Sequence, residues 1–435
     1  MQSPLCGLDQ RINFVCGALN SPHTITVGAE LAGVHVLFGG RARRPGSYHI
    51  GAGGLFIEEV IVRTLAETAE RYAQMTAAHF GAFDIKFQTY VEMQGSVASD
   101  SDLIPEDSLD LFDSTAFNKP NFPFAPFCAN SPLGWVTMES MVGARPMAIP
   151  AQMVLVGYRT QRQLGERATF SSVTTGTAAH RTHDLALING LLELIQIDAA
   201  VGHWYSGWPC DEIRLDERTR TLQGIVERHN NGRLSAPSTT FMYISNPDLP
   251  GFPIACVLRG PKGTSPEVAV GLGCALGLEE AMYKSWLEAL GVWDLATINM
   301  IESSRRSPRE MDQEKPRQIF DLDSNVAYYA EGHGSNVFAD RFSPRSVLGA
   351  SALGTDFVGS ADDRIRYLVD AFRDSEKRLY RLDLTTRDVE ELGFAIERVW
   401  SPDTLSLPLP SAQPTRHSRF IAYGGASNEY PHPYP

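Results

Sequence analysis

The chain has 435 residues, of which 20% are charged and 43% hydrophobic. This is globular composition and excludes wholesale disorder. A formal net charge of −13, from 38 Lys+Arg against 51 Asp+Glu, argues against a nucleic-acid coat, because phosphate binding needs concentrated cations.

At roughly 100–200 residues per domain, two or three compact units are expected. Met1 to Cys16 has no basic segment followed by an apolar run, so no secretory signal is read there. No stretch reaches the ~18–20 uninterrupted apolar residues of a membrane helix, and no membrane partner is expected. The cysteines at 6, 16, 128, 210, 256 and 274 form no CxxC pair. Reduced thiols and a cytoplasmic location are the expectation.

In chain order, β-rich runs are read at Thr24–Val27 and Val34–Phe38. A glycine-rich turn, Gly51-Ala52-Gly53-Gly54, precedes a helix over about Phe56–Gly81, with Ile57, Val60, Ile61, Leu65 and Tyr72 on one face. Gln94–Phe127 is acidic, then rich in Pro, Asn and Phe, and reads as a surface excursion. Gln152–Gly157 reads as a strand. His183–Trp204 reads as an apolar helix with Thr182 as N-cap. Strands at Thr240–Ser245 and Ala255–Leu258 precede a helix over Glu279–Leu290. Glu302–Asp321 is densely charged and reads as an exposed connection; Phe394–Val399 is a further strand. Ser401–Pro435 holds seven of the 27 prolines and must be extended, either bound along a surface or mobile. Strands mixed with long helices, without regular βαβ alternation, indicate an α+β (mixed α/β) protein.

Several side-chain sets can carry chemistry. Glu67 and Glu70, three apart, share one helix face. Like charges so placed either lie solvated, with Arg71 as partner, or surround a hard cation such as Mg²⁺. Glu193 and Gln196 repeat the spacing inside an apolar run, where polar groups need buried partners. Lys284 and Glu288 are either an i,i+4 surface pair or a cation and a carboxylate beside a nucleotide. Thr174-Thr175-Gly176-Thr177 before a helix is a plain turn or a phosphate-binding one. His180 and His183 fit helix capping better than a transition-metal site. No Walker A, GxGxxG, GxSxG or HExxH motif occurs. The chain ends Pro431-His432-Pro433-Tyr434-Pro435, a stiff rod that can carry its terminal carboxylate into a pocket as a base, or else a frayed end.

Together these segments resemble the YcaO family, and within it the azoline-forming cyclodehydratases of modified-peptide biosynthesis. Glu67-x-x-Glu70-Arg71-Tyr72 is similar to the family's ExxERY segment. Thr174-Thr-Gly176-Thr-Ala-Ala followed by Leu192-Glu193-Leu-Ile-Gln196-Ile-Asp198 is similar to SNGxAxG and LLExxERD. Lys284 and Glu288 have the spacing of a family Arg/Glu pair near the nucleotide, and the proline end looks like a PxPxP terminus.

The resemblance implies a YcaO-like fold, with an ATP site between helices packed on mixed or antiparallel sheets. It implies residues 1–50 as an N-terminal segment, 51–400 as the ATP-binding core and 401–435 as a tail entering the active site. ATP and Mg²⁺ are the implied cofactors. Glu67, Glu70, Glu193, Gln196 and Glu288 would hold metal, Arg71 and Lys284 would offset phosphate charge, and Pro435 and Glu288 would be catalytic. The implied reaction turns Cys, Ser or Thr of a ribosomal precursor peptide into a thiazoline or oxazoline by phosphorylating the backbone amide oxygen. Thioamide or amidine formation and a non-catalytic precursor-binding scaffold are the alternatives. The chain begins almost directly with this domain, so a separate E1-like leader-binding protein is expected, with an FMN-dependent azoline dehydrogenase as a further partner and a homodimeric core. The pattern departs from the family at four places. The GKG turn is Ala52-Gly53-Gly54, a small hydroxyl residue is Arg63, ER has become Gln196-Ile197, and SNG is Thr-Thr-Gly.

Overall fold

The computed structural model describes residues 1, 7–15, 24–31, 34, 49–97, 101–230, 236–303 and 318–435. The chain opens with β1 (Asp9–Val15), β2 (Ile25–Leu31) and β3 (His49–Gly54), then α1 (Ile57–Thr76). β4 (Lys86–Thr89) leads into α2 (Tyr90–Ser96), and β5 (Asp102–Leu103), β6 (Pro132–Ser140), β7 (Met147–Pro150) and the single turn α3 (Ala151–Val154) follow. β8 (Thr177–His180) precedes α4 (His183–Ser206), then come β9 (Asp211–Arg214), α5 (Arg220–Asn230), β10 (Ser238–Tyr243), β11 (Ile254–Arg259) and β12 (Val268–Gly273). The last part holds α6 (Leu278–Ser303), α7 (Leu322–Ala330), α8 (Ser335–Arg341), β13 (Val347–Gly349), α9 (Ala361–Asp374), β14 (Tyr380–Asp383), α10 (Arg387–Glu391) and β15 (Ala395–Trp400).

Among the described residues the strands form three sheets. β1-β2-β3 is antiparallel; β12-β11-β10-β9-β13 has only β13 parallel to its neighbour; β5-β7-β6-β14-β15-β8, with β4 beside β6, has only β5 parallel. The mixed α/β expectation is met. α1 packs on β2 and β3 and touches β8; α4 covers β8 and β15; α6 lies across β11 and β12 and against β3. Each helix thus touches two sheets: α1 the first and third, α4 the third and, at β12, the second, and α6 the second and first. Gly271 of β12 permits the closest of these approaches, since a Cβ there would collide with the Ala289 amide nitrogen of α6. Gly53 of β3 permits the approach on the other face of α6, a Cβ there lying 2.9 Å from the Leu287 carbonyl oxygen.

Thr182 caps α4 as its sequence predicts, its hydroxyl accepting from the Leu185 amide. α4 is apolar nearly all round and is long enough to cross a membrane. However, 78% of its apolar window is buried within the protein, the pattern of a central core helix. α1 ends at Thr76, before the expected Gly81. α6 runs past Leu290 to Ser303 because Val292, Trp293 and Ala296 prolong its buried stripe. The expected strand over Gln152–Gly157 is instead the helical turn α3 followed by a bend. Gln152 is withdrawn into the core, where its amide binds Glu166, the Arg167 carbonyl and the Thr169 amide. Gln94–Phe127 is less irregular than expected. It includes the end of α2, β5 and two 3₁₀ turns, and Phe112, Phe117, Phe122 and Phe124 form their own aromatic cluster. Most of Val34–Phe38 and Glu302–Asp321 lies outside the described residues.

The proline-rich tail is built into the core. Asp198 of α4, fully buried, accepts from the Leu405 amide, the Arg419 guanidinium, the Tyr423 hydroxyl and the Asn246 amide. Further on, Trp204 Nε1 donates to the Tyr430 carbonyl and Tyr329 to that of Pro431. Asn325 Nδ2 donates to the carbonyls of His432 and Tyr434, both at 2.7 Å. Proline removes backbone donors, so the tail's carbonyls are taken up by side chains rather than by a strand partner.

Candidate active site

The faces of α1, α4 and α6 that meet carry carboxylates. Glu67 receives the Gly51 backbone amide and lies 3.4 Å from Arg71. Glu70 sits in the field of Glu193, Glu67, Arg71 and Arg398. Glu193 faces Arg398, Arg71 and Glu288, and takes a backbone hydrogen bond from Gly176. Glu288 accepts from the Leu272 amide at 3.2 Å and faces Glu67 and Arg63. Of the two readings of this face, solvated or cation-binding, the structure favours the second: the four carboxylates are half-buried, Glu67 28% exposed, and their withdrawal from water pushes all four above their ordinary range. Glu193 reaches about 8, and Glu288 about 7, with like charges adding to the effect.

The turn Thr174–Thr177 contributes through its backbone. Gly176 has φ of +79°, and a Cβ there would collide with the Val399 carbonyl oxygen, so only glycine brings this amide up to Glu193. The site residue that the sequence did not disclose is Arg398, on β15 and fully buried. Its Nη1 donates to the Val173 carbonyl at 2.9 Å and to Thr177 Oγ1 at 3.0 Å. Gln74 of α1 holds the same Thr177 hydroxyl. Among the described residues no group takes Arg398 Nε or Nη2. Burial lowers the Arg398 pKa to about 10, with Glu193 and Glu70 opposing.

Lys284 and the chain end stand apart from this group. Lys284 does not pair with Glu288; its Nζ lies 2.8 Å from Glu280, and its charge acts on His180. Glu280 precedes Lys284 by four, the more favourable helical order, while Glu288 is drawn to the β12 amide. Gln196 is half-buried, one turn beyond Glu193 on the same side of α4. The terminal residues pack further along that helix. The Tyr434 hydroxyl donates to the Ala200 carbonyl, seven residues and so roughly 10 Å past Glu193. His183 is engaged elsewhere, with Glu397.

Four half-buried carboxylates converging with few cations suit a hard divalent ion, and an arginine with free N–H groups suits phosphate oxygens. The donor set therefore fits Mg²⁺ and a nucleotide. The sign of the pH dependence follows. Glu193 and Glu288 titrate above the ordinary 4.5, so their contribution to stability is full below that pH and is lost as pH rises through about 7–8. A cation binding the ionised forms reverses the loss. Mg²⁺ should thus raise the melting temperature more at pH 8 than at pH 6, by thermal unfolding; an equal shift at both would contradict this.

Comparison with known proteins agrees with the geometry. A heterocyclase in complex with substrate and cofactor shares the fold, with TM-score 0.71 and 16% identity over 99% of this chain; this chain spans 55% of it. YcaO from Methanopyrus kandleri, bound with AMPPCP and Mg²⁺, gives TM-score 0.59 and 15% identity over 97% of this chain and 90% of that one. The E. coli microcin synthetase McbBCD complex gives 0.57 and 13%, over 98% and 96%. No curated protein matches. Residues 58–405 match the YcaO cyclodehydratase family, which is ATP- and Mg²⁺-binding. The chain belongs to the YcaO cyclodehydratase family.

Proposed function

We propose that this chain is the ATP-dependent cyclodehydratase of a peptide-modification system, closing Cys, Ser or Thr of a precursor peptide onto the preceding amide to give thiazoline or oxazoline. The observation that carries this reading is the meeting of Glu67, Glu70, Glu193 and Glu288 around Arg71 and Arg398. ATP with Mg²⁺ supplies the phosphoryl group that makes the amide oxygen a leaving group. The protein's task is then positioning and charge neutralisation rather than nucleophilic attack. Glu67, Glu70 and Glu193 hold metal, with Gln196 offering a neutral amide oxygen beside them. Arg398 and Arg71 take phosphate oxygens. Arg63, at a position where the family has a small hydroxyl residue, sets its charge against Glu288. Glu288 titrates near neutrality and is suited to moving a proton, as well as to holding metal. Lys284, one turn away, contributes its field only. The Pro435 carboxylate, at the end of an anchored tail, serves the peptide side as a base.

The partners follow from chemistry and likeness. The heterocyclase relative was solved with substrate, and the microcin synthetase is a complex of several proteins. A precursor peptide, a separate E1-like leader-binding protein, an FMN-dependent azoline dehydrogenase and a homodimeric core belong to the same proposal.

The test incubates the chain with its partner, precursor peptide and Mg·ATP, and reads peptide mass and phosphate. Each ring lowers the mass by one water with one phosphate released. Peptide binding without mass loss supports the scaffold reading, and a mass change from sulfur or amine incorporation supports thioamide or amidine formation.

A further inference from the structure

A second cluster lies outside the carboxylate site, at the far end of α4. Asp383 of β14 and Glu397 of β15 are direct cross-strand partners. Like charges so opposed are destabilising unless a cation stands between them. His183, the first residue of α4, brings its ring there, with Nδ1 2.8 Å from Glu397 Oε1. One ligand atom from each of the three side chains lies within 4.8 Å of the others. Glu397 is fully buried, yet its Oε2 has no hydrogen-bond partner among the described residues. Arg381 supplies part of the compensating charge: its Nη1 is 3.8 Å from Glu397 Oε1 and its field reaches both Glu397 and Asp383. Its Nε is held by Glu139 at 3.1 Å, and Glu397 Oε2 stays without a donor among the described residues. One Asp383 oxygen accepts the Thr385 amide at 2.8 Å. Burial also pushes the Glu397 carboxyl up, opposed by the hydrogen bond from His183 and the charge of Arg381.

We propose that His183, Asp383 and Glu397 form a second metal site, distinct from the Mg²⁺ carboxylates, that takes a transition-metal dication of the Zn²⁺ type. One imidazole and two carboxylates are a borderline donor set that favours Zn²⁺ over Mg²⁺, which prefers oxygen and water alone. Ligand atoms around tetrahedral Zn²⁺ at bonds of about 2.0–2.2 Å sit a little over 3 Å apart. The exposed His183 and Asp383 side chains can rotate to that spacing around the fixed, buried Glu397, leaving a position open to solvent. The metal would replace the proton shared by His183 and Glu397, and would tie the β14–β15 pair to the start of the helix that carries Glu193.

The test is equilibrium dialysis of the full chain against Zn²⁺ in excess Mg²⁺, followed by metal analysis. Wild type and Glu67→Ala should each hold one Zn²⁺. His183→Gln and Asp383→Asn, both changes at exposed positions that keep their local hydrogen-bonding capacity, should weaken it by more than about tenfold. Co²⁺ loaded in place of Zn²⁺ should show a ligand-field spectrum that disappears in His183→Gln. Zn²⁺ retained equally by both variants, or no Zn²⁺ held by wild type, overturns the site. Loss of Zn²⁺ in Glu67→Ala alone would assign the ion to the nucleotide carboxylates and also overturn it. Failure of the ATP reading would leave these outcomes unchanged.

Discussion

Alanine at Glu193, or at Glu67, should lower peptide-dependent ATP consumption by about 10²–10³-fold or more, the scale seen when one preorganised electrostatic group is removed from a transition state. Glu193 is the stronger case. It is the residue that the fields of both α1 and α6 reach, and Arg398 and Gly176 orient it from the sheet side. The fall should not come from unfolding. The metal-free cluster is self-repelling, and alanine is the best helix former, so the variants should melt at or above the wild-type temperature without Mg²⁺. A variant that is equally stable and within a few-fold of wild-type turnover would remove Glu193 from the site.

The second large effect concerns the chain end. Deleting Pro431–Pro435 removes His432 and Tyr434, both buried, and leaves Asn325 Nδ2 without its two carbonyl acceptors. Loss of one buried aromatic side chain alone costs about 3–5 kcal/mol, so this deletion should lower the melting temperature by several degrees whatever its chemistry. Converting the Pro435 carboxylate to the C-terminal amide separates the two roles, because it removes the charge and leaves every packed residue of the tail in place. Ring formation should fall at least tenfold, with nucleotide affinity and melting temperature nearly unchanged. Equal loss of cyclisation and of nucleotide binding would withdraw the base role from the terminal carboxylate.

What the sequence disclosed was what short-range rules govern. Thr182 before an apolar run predicted the start of α4 to the residue, and the two-carboxylate spacing in α1 identified one wall of the site. Arg398 was hidden because it belongs to a strand buried on both faces, IERVW, where no periodicity singles it out and its partners are more than 200 residues away in sequence. Lys284 had a carboxylate four residues away on either side. Helical order favoured Glu280, while a β12 amide, visible only in three dimensions, captured Glu288. The tail's prolines excluded helix and central strand but could not say whether it was mobile; Asp198, buried with four kinds of donor around it, shows why it is fixed. At Gln152–Gly157 the β-rich composition was overridden by Gln152, whose amide is bound from four directions by the segment 166–170.

The most direct measurement is calorimetric titration of a non-hydrolysable ATP analogue into the chain at pH 8, with and without Mg²⁺, for wild type and for Glu67→Ala. The account predicts one nucleotide bound per wild-type chain only when Mg²⁺ is present, and no Mg²⁺-dependent binding once Glu67 is gone. Nucleotide bound as tightly in the absence of Mg²⁺, or undiminished by Glu67→Ala, would contradict it.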